Sequence, residues 1–403
     1  MEKLRVGVIG LGHRGIWLIK TTLTIPEYDI VAVCDLYPDR AEDGRRIVEE
    51  ATGISPFKTL DYTEILAKDD VDAVIVSTYW ETHVRVAIDA MKAGKKVGME
   101  VGGAYNLEEL WELVDTYEST KCPFMFLENC CYGEYELMVT NMVRQGILGE
   151  ISHCAGAYAH DLREEVTTGK EKRHYRLRNY IARNCENYPT HELGPIAKLL
   201  KINAGNRITS LVSMSSKSQG MTDYVRRNPE TIDQSLLDVT FNQGDIVNTL
   251  IKCENGETIA IKLDTSLPRC YSREFSVHGT KGMYSELASS VYLDGDGHHF
   301  DSKFFLGNQD KYLEKYSVPI WRELTQEQRD LGHGGIDFFT LKEFAVRALS
   351  GEEFLIDVYD AASWMAVTCL SDISIKESRW VEIPDFTRGA YKTREHKDVM
   401  PLE

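Results

Sequence analysis

The run LRVGVIGLGHRG, residues 4–15, constrains this chain more than any other stretch. An apolar strand stops at Gly10, and Gly12 and Gly15 complete a G-x-G-x-x-G spacing. A helix is predicted to start there, over GIWLIKTTL, and the next strand, YDIVAVCD, ends in Asp35, twenty residues after Gly15. In such a unit Gly10 permits a tight turn, Gly12 lets the backbone approach a pyrophosphate, and Gly15 lets helix and strand pack closely. The Asp35 carboxylate can accept hydrogen bonds from an adenosine ribose diol. It also repels a 2′-phosphate, which favours NAD over NADP. A strand–turn–helix with no ligand is the plain alternative, and the acidic residue at this distance counts against it.

The alternation continues. VDAVIVST and KKVGMEV read as buried parallel strands with the helix HVRVAIDAMKAG between them, and CPFMFLEN as the next strand, followed by the helix YELMVTNMVRQG. Ligands of such sheets bind beyond the carboxyl ends of the strands. Trp80 and His83, Glu100 and Val101, and Glu128 and Asn129 lie just past strand ends and are expected to line the cofactor cleft. Loop packing is the alternative for each. After about residue 150 the texture changes: ISHCAGAYAH, NRITSLVSMSS, SLLDVTFNQ, DIVNTLIKC, ETIAIKLDTS and EFSVHGTKG are strand-like runs separated by turn residues. Strands in succession without crossover helices predict an open, mostly antiparallel sheet. The fold class is therefore α/β, a Rossmann domain over 1–130 followed by an α+β domain over 131–403. A loop leading into the helix of GHGGIDFFTLKEFAVRAL, a second helix and a short EIPDF segment close the chain, and part of this C-terminal region is expected to pack back on the Rossmann domain.

A chain of 403 residues with a net charge of −17 suits two domains and no nucleic-acid or anionic-membrane partner. The nine cysteines are scattered, with no C-x-x-C metal spacing, so they read as reduced core residues, and no metal is expected. The N-terminus runs straight into a strand without an apolar leader, and a cytoplasmic location is the expectation.

The stretch NCENYPTHELGP, residues 184–195, reads as an extended segment turning into a helix, with Tyr188 and His191 at the junction. Free N–H groups and the positive dipole end make such a junction able to hold a polar ligand. Equally, Tyr188 could pack and His191 could cap.

These residues resemble the glucose-fructose oxidoreductase / inositol dehydrogenase family, and within it the NAD-dependent glycoside hydrolases of family 109. The resemblance is carried by EVG, LENCCY, AYAHDLR, NYPTHELGP, DTSLPRCY, GHGGIDFF and EIPDFT, and with the glycine fingerprint it covers nearly the whole chain. The larger family has Glu-Lys-Pro after the fifth strand, where this chain has Glu100-Val101-Gly102. The absent lysine counts against a plain sugar dehydrogenase; Gly102 departs from the Glu-Val-Pro of the hydrolase branch.

The resemblance implies an N-acetylhexosaminide such as an N-acetylgalactosaminide as substrate, tightly held NAD, and a cycle of oxidation at C3, elimination, water addition and reduction. It implies cofactor contacts at Gly10, Leu11, Gly12, Gly15, Asp35, Trp80, His83, Glu100, Val101 and Asn129. Substrate contacts fall on Tyr158, Arg176, Tyr188, Pro189, Thr190, His191 and Tyr271, and the catalytic groups are Tyr158, Tyr188 and His191. Tyr158 is expected to be the C2 base or its partner. His191 would move a proton at C3 or at the leaving group, with Tyr188 and Tyr271 holding the sugar. Arg176 depends on register, because KRHYRLRNYIARN offers several arginines. A small carbohydrate is the expected partner, and the chain is expected to form homo-oligomers. A sugar oxidoreductase and a non-catalytic NAD-binding sensor are the competing readings. Arg14 is expected either to touch the pyrophosphate or to be solvated, and His333 either to close the site or to bond backbone.

Overall fold

Six short strands supply the first sheet, most of them apolar: β1 Leu4–Ile9, β2 Tyr28–Cys34, β3 Phe57–Thr59, β4 Ala73–Val76, β5 Lys96–Met99 and β6 Phe124–Phe126. The structure is a computed structural model that describes residues 2–296 and 300–402. The strands lie in the order β3-β2-β1-β4-β5-β6, every neighbouring pair parallel. β4 is buried at all its positions, which is why it reads as an unbroken apolar run with no alternation. Strand order reverses between β1 and β4, so a crevice opens at their carboxyl ends.

This sheet organises one compact unit, made of the residues up to Tyr132 together with Glu323–Ala362. Polar contacts stitch the later segment to the sheet. Tyr28 Oη donates to the Leu341 carbonyl at 2.6 Å, Lys96 Nζ to the Ala348 carbonyl at 2.6 Å, and Phe126 N to the Ile356 carbonyl at 2.9 Å.

The second unit, Gly133–Arg322 with the chain from Ser363 onward, is built on eight strands. They are β7 Ile151–Ala159, β8 Ile208–Ser215, β9 Ile246–Cys253, β10 Thr258–Asp264, β11 Ser276–Gly279, β12 Gly282–Ser285, β13 Ser290–Leu293 and β14 Val381–Glu382, in the order β13-β12-β11-β7-β10-β9-β8-β14. All pairs are antiparallel except β7 with β10, which run parallel and set Tyr158 beside Leu263. In β9, Val247, Thr249, Ile251 and Cys253 are buried while Asn248, Leu250 and Lys252 are exposed, the period of two that a sheet covered on one face imposes. The helix Thr190–Leu199 packs on β7.

One expected strand does not form. SLLDVTFNQ begins as a 3-10 turn, Gln234–Leu236, capped by the Asp233 carboxylate on Ser235 N. Its end is held by loop contacts: Asn242 N and Gln243 N both donate to the Tyr180 carbonyl at 3.0 Å. Its β-branched and aromatic residues suit a strand, and burial alternates from Thr240 to Gln243, but the backbone there bonds to the Tyr180 loop and not to a neighbouring strand. The cysteine expectation also needs one correction: eight are buried, but Cys270 is exposed. Among the described residues no helix is long and apolar enough to cross a membrane.

Candidate active site

The glycine turn has the geometry that a dinucleotide requires. Gly10 sits at φ +93°, and a Cβ on Gly15 would fall 1.9 Å from the Gly10 carbonyl oxygen, so neither position accepts a side chain. A Cβ on Gly12 would meet nothing nearer than the Arg40 guanidinium at 3.6 Å, which leaves an open face lined by main chain. Gly12 also caps the helix His13–Thr22 without any side-chain bond to its first N–H groups. Free amides beside an open glycine face fit a pyrophosphate. Asp35 Oδ2 accepts from Leu11 N at 2.7 Å and Oδ1 from Tyr37 N at 2.9 Å. A carboxylate has about four acceptor positions, so these two amides fix the turn and leave capacity for a ribose diol.

Trp80 and His83 follow β4 and are 1% and 0% exposed. Burial pushes the His83 imidazole down to about 4, so it is neutral. A Cβ at position 102 would lie 2.3 Å from Trp80 Cδ1 and 2.9 Å from His83 Cε1. Gly102 is therefore what these two rings leave room for. The rings in turn back Glu100 and Val101, each 6% exposed, at the end of β5.

Arg14, whose side chain is only partly exposed, is held by two carboxylates. Its guanidinium grips Asp337 with Nη1–Oδ2 at 2.7 Å and Nη2–Oδ1 at 2.9 Å, and Nε donates to Glu100 Oε1 at 2.9 Å. Asn129 Nδ2 donates to Asp337 Oδ1 at 2.7 Å, and His333 Nδ1 lies 2.8 Å from Oδ2. His333, in a left-handed backbone at φ +53°, thus pairs with a buried carboxylate and not with backbone. Burial alone would raise the Asp337 pKa; the Arg14 charge and His333 outweigh it and hold the carboxyl well below the usual range.

In the second unit, Tyr158, Tyr188, His191 and Arg176 come together. Tyr158 projects from the end of β7, on the same face as buried Cys154 and Gly156. Pro189 caps the helix Thr190–Leu199, placing Tyr188 just before it and His191 in its first turn. The ring centroids are 4.6 Å apart for Tyr158–Tyr188, 4.8 Å for Tyr188–His191 and 5.6 Å for Tyr158–His191. Arg176, 7% exposed, lies 5.0 Å from the Tyr188 ring centroid and 5.9 Å from that of Tyr158. Thr190 is buried. Tyr271, half exposed, meets the group through His160, whose ring is 5.3 Å from it.

Two further residues belong to this patch. Glu165 pairs with Arg176 Nε at 2.7 Å, and His160 Nδ1 lies 3.3 Å from Tyr158 Oη. His160 was within reach of sequence reasoning, since a residue two places along an extended strand shares its face. Glu165 carried no such signal.

Next to Tyr188, Glu186 is fully buried, and no side chain pairs with its carboxyl group. Burial pushes its pKa up to about 8; the amides of Tyr188 and Leu263 lower it only in part. A raised acid favours folding while protonated, so its contribution is whole below the unfolded value, about 4.3, and is lost as pH climbs through 8. Glu186→Gln should therefore gain in melting temperature over the parent as pH rises from 5 to 8.5. Parallel melting curves would refute this by showing a constant difference.

With this geometry in place, comparison with known proteins is direct. The family description "Glycosyl hydrolase 109, C-terminal domain" matches residues 132–393, and "Oxidoreductase family, NAD-binding Rossmann fold" matches 4–127. An α-N-acetylgalactosaminidase of Shewanella oneidensis is 38% identical across 97% of this chain and 87% of its own length. The chain belongs to glycosyl hydrolase family 109. A family 109 protein of Stenotrophomonas maltophilia is 35% identical over 98% of this chain and 91% of its own length. Among solved structures, a levoglucosan dehydrogenase in complex with NADH and levoglucosan has a TM-score of 0.70 at 18% identity, covering 95% of this chain and all of that one. Myo-inositol 2-dehydrogenase from Lactobacillus plantarum has a TM-score of 0.67 at 15% identity, covering 95% of this chain and all of that one. These two share the fold. The tyrosine–histidine patch lies within the residues matched by the family 109 description, and the glycine cradle within those matched by the Rossmann description.

Proposed function

We propose that this chain hydrolyses N-acetylhexosaminides, with α-N-acetylgalactosaminides as the favoured substrates and tightly bound NAD as a recycled cofactor. The reading rests above all on the patch in which two tyrosines share one arginine and both meet a histidine. The family and the name of the Shewanella oneidensis relative support the substrate class.

Gly10, Leu11, Gly12, Gly15 and Asp35 would hold the dinucleotide, and Trp80, His83, Glu100, Val101 and Asn129 would shape the site around its nicotinamide end. When bound, NAD supplies hydride removal at C3 of the sugar and its later return, which acidifies the C2 hydrogen. Tyr158 takes the C2 proton. His191 serves the C3 hydroxyl or the leaving oxygen as the proton-transfer group. Arg176 holds its positive charge over the rings of Tyr158 and Tyr188. Tyr188 and Tyr271, with Pro189 and Thr190 fixing the turn, hold the sugar.

Chromogenic α- and β-N-acetylhexosaminides, tested with and without added NAD, check the reading. Cleavage should proceed without net NADH, and in deuterium oxide the released sugar should carry deuterium at C2. Stoichiometric NADH without cleavage would instead establish a sugar oxidoreductase, and a preference for NADP would remove Asp35 from its role.

A further inference from the structure

Tyr158 has a partner that the proposed cycle does not yet use. Beyond Ala159 the chain continues its pairing with β10: His160 N donates to the Asp264 carbonyl at 3.0 Å and Leu162 N to the Thr265 carbonyl at 3.1 Å. Extended backbone there puts His160 on the same face as Tyr158, with Nδ1 at 3.3 Å from the phenol oxygen. A phenol alone is a poor base, because its own proton leaves only near pH 10.

We propose that His160 is the proton acceptor behind Tyr158, so that the C2 base is a two-residue relay. The C2–H bond breaks toward Tyr158 Oη, and its electron pair passes into the enolate formed with the C3 carbonyl. The hydroxyl proton of Tyr158 moves at the same time to the Nδ1 lone pair, leaving a neutral phenol and an imidazolium. The relay runs backward when C2 is protonated again. It requires the His160 tautomer with its hydrogen on Nε2.

The surroundings suit both charge states. Burial, then Arg176 and His191, lower the His160 pKa and keep the ring neutral at rest, ready to accept. Glu165 and Asp161 act the other way and stabilise the imidazolium once it forms. Tyr271 packs edge-on, at 88° between ring planes, and limits ring rotation.

This inference rests on the proposed glycosidase reading, and one variant separates the two. His160→Asn places an oxygen near the position of Nδ1: it can still accept the Tyr158 hydroxyl bond but cannot take up a proton. With the holoenzyme and an α-N-acetylgalactosaminide, it should lower kcat about 10²-fold with KM little changed. The rate of C2 deuterium exchange should fall in parallel. A kcat limb falling away below pH 6.5 in the parent should be absent from the variant. Combining His160→Asn with Tyr158→Phe should cost no more than Tyr158→Phe alone, as for residues that act as a unit. If His160→Asn lacks NAD or unfolds early, His160→Gln takes its place with the same expectations. Exchange and kcat within threefold of the parent, with the acid limb kept, would overturn the relay while leaving the glycosidase reading intact. Cleavage by the parent with no deuterium at C2 would overturn both.

Discussion

His191→Ala is expected to cut turnover by about 10²–10⁴-fold, the usual loss when a general acid–base group is removed, while the protein still folds and binds NAD. The imidazole stands in the first turn of the helix Thr190–Leu199, edge-on to Tyr188 at 4.8 Å between centroids. It is only half buried, so removing it opens no large core cavity. Tyr188→Phe is the sharper companion. Tyr188 is 8% exposed and its ring meets both Tyr158 and Arg176, contacts that phenylalanine keeps. A loss of rate in that variant therefore reports the hydroxyl alone. A purely architectural motif would give the opposite pattern, lower melting temperatures with the surviving protein nearly as active. Kinetics, melting curves and NAD content measured together decide between the two. His191→Ala with most of its activity would remove this residue from the mechanism.

The parallel half of the fold was legible where its strands are buried on both faces, as β4 is, and where its turn is constrained by glycine; β3, exposed at Phe57 and Lys58, gave no such run. Gly15 has no alternative when a Cβ would sit on the Gly10 carbonyl. The antiparallel half was legible where burial alternates, as in β9, and failed at SLLDVTFNQ, where the stretch starts as a 3-10 turn and its later backbone bonds to the Tyr180 loop and not to a strand. The parallel β7–β10 pair had no local signal, because β-strand pairing direction is set by connections and not by composition. In the site, the motif residues Tyr158, Tyr188 and His191 were legible as a set only through the family resemblance. The groups that hold them were not. Glu165 pairs with an arginine whose register the sequence left open, and Arg14 meets Asp337 across 323 positions. Ion pairs between distant segments leave no periodicity to read.

Asp337 carries the second large expected effect, on stability. Its carboxylate is 1% exposed and receives Arg14, Asn129 and His333 at once. Removing one member of a buried pair costs about 3–5 kcal/mol, because the other is left charged and unpaired. Asp337→Ala should lose stability on that scale at pH 7, and with it the placement of His333 and Asn129. Arg14→Met should cost more still. It strips the shared cation from two buried carboxylates, Glu100 and Asp337. The pH dependence follows from the depressed acid: its contribution is present above the unfolded value, about 3.9, and is lost as pH falls toward the lower folded value. The gap between the parent and Asp337→Ala should therefore narrow below pH 4. Urea unfolding at pH 7 and pH 3 measures both the order of the variants and this convergence. Equal stability of Asp337→Ala and the parent at pH 7 would mean that the ion pair does not hold the segment Glu323–Ala362 in its unit. The backbone stitches at Leu341, Ala348 and Ile356 would then have to suffice without it.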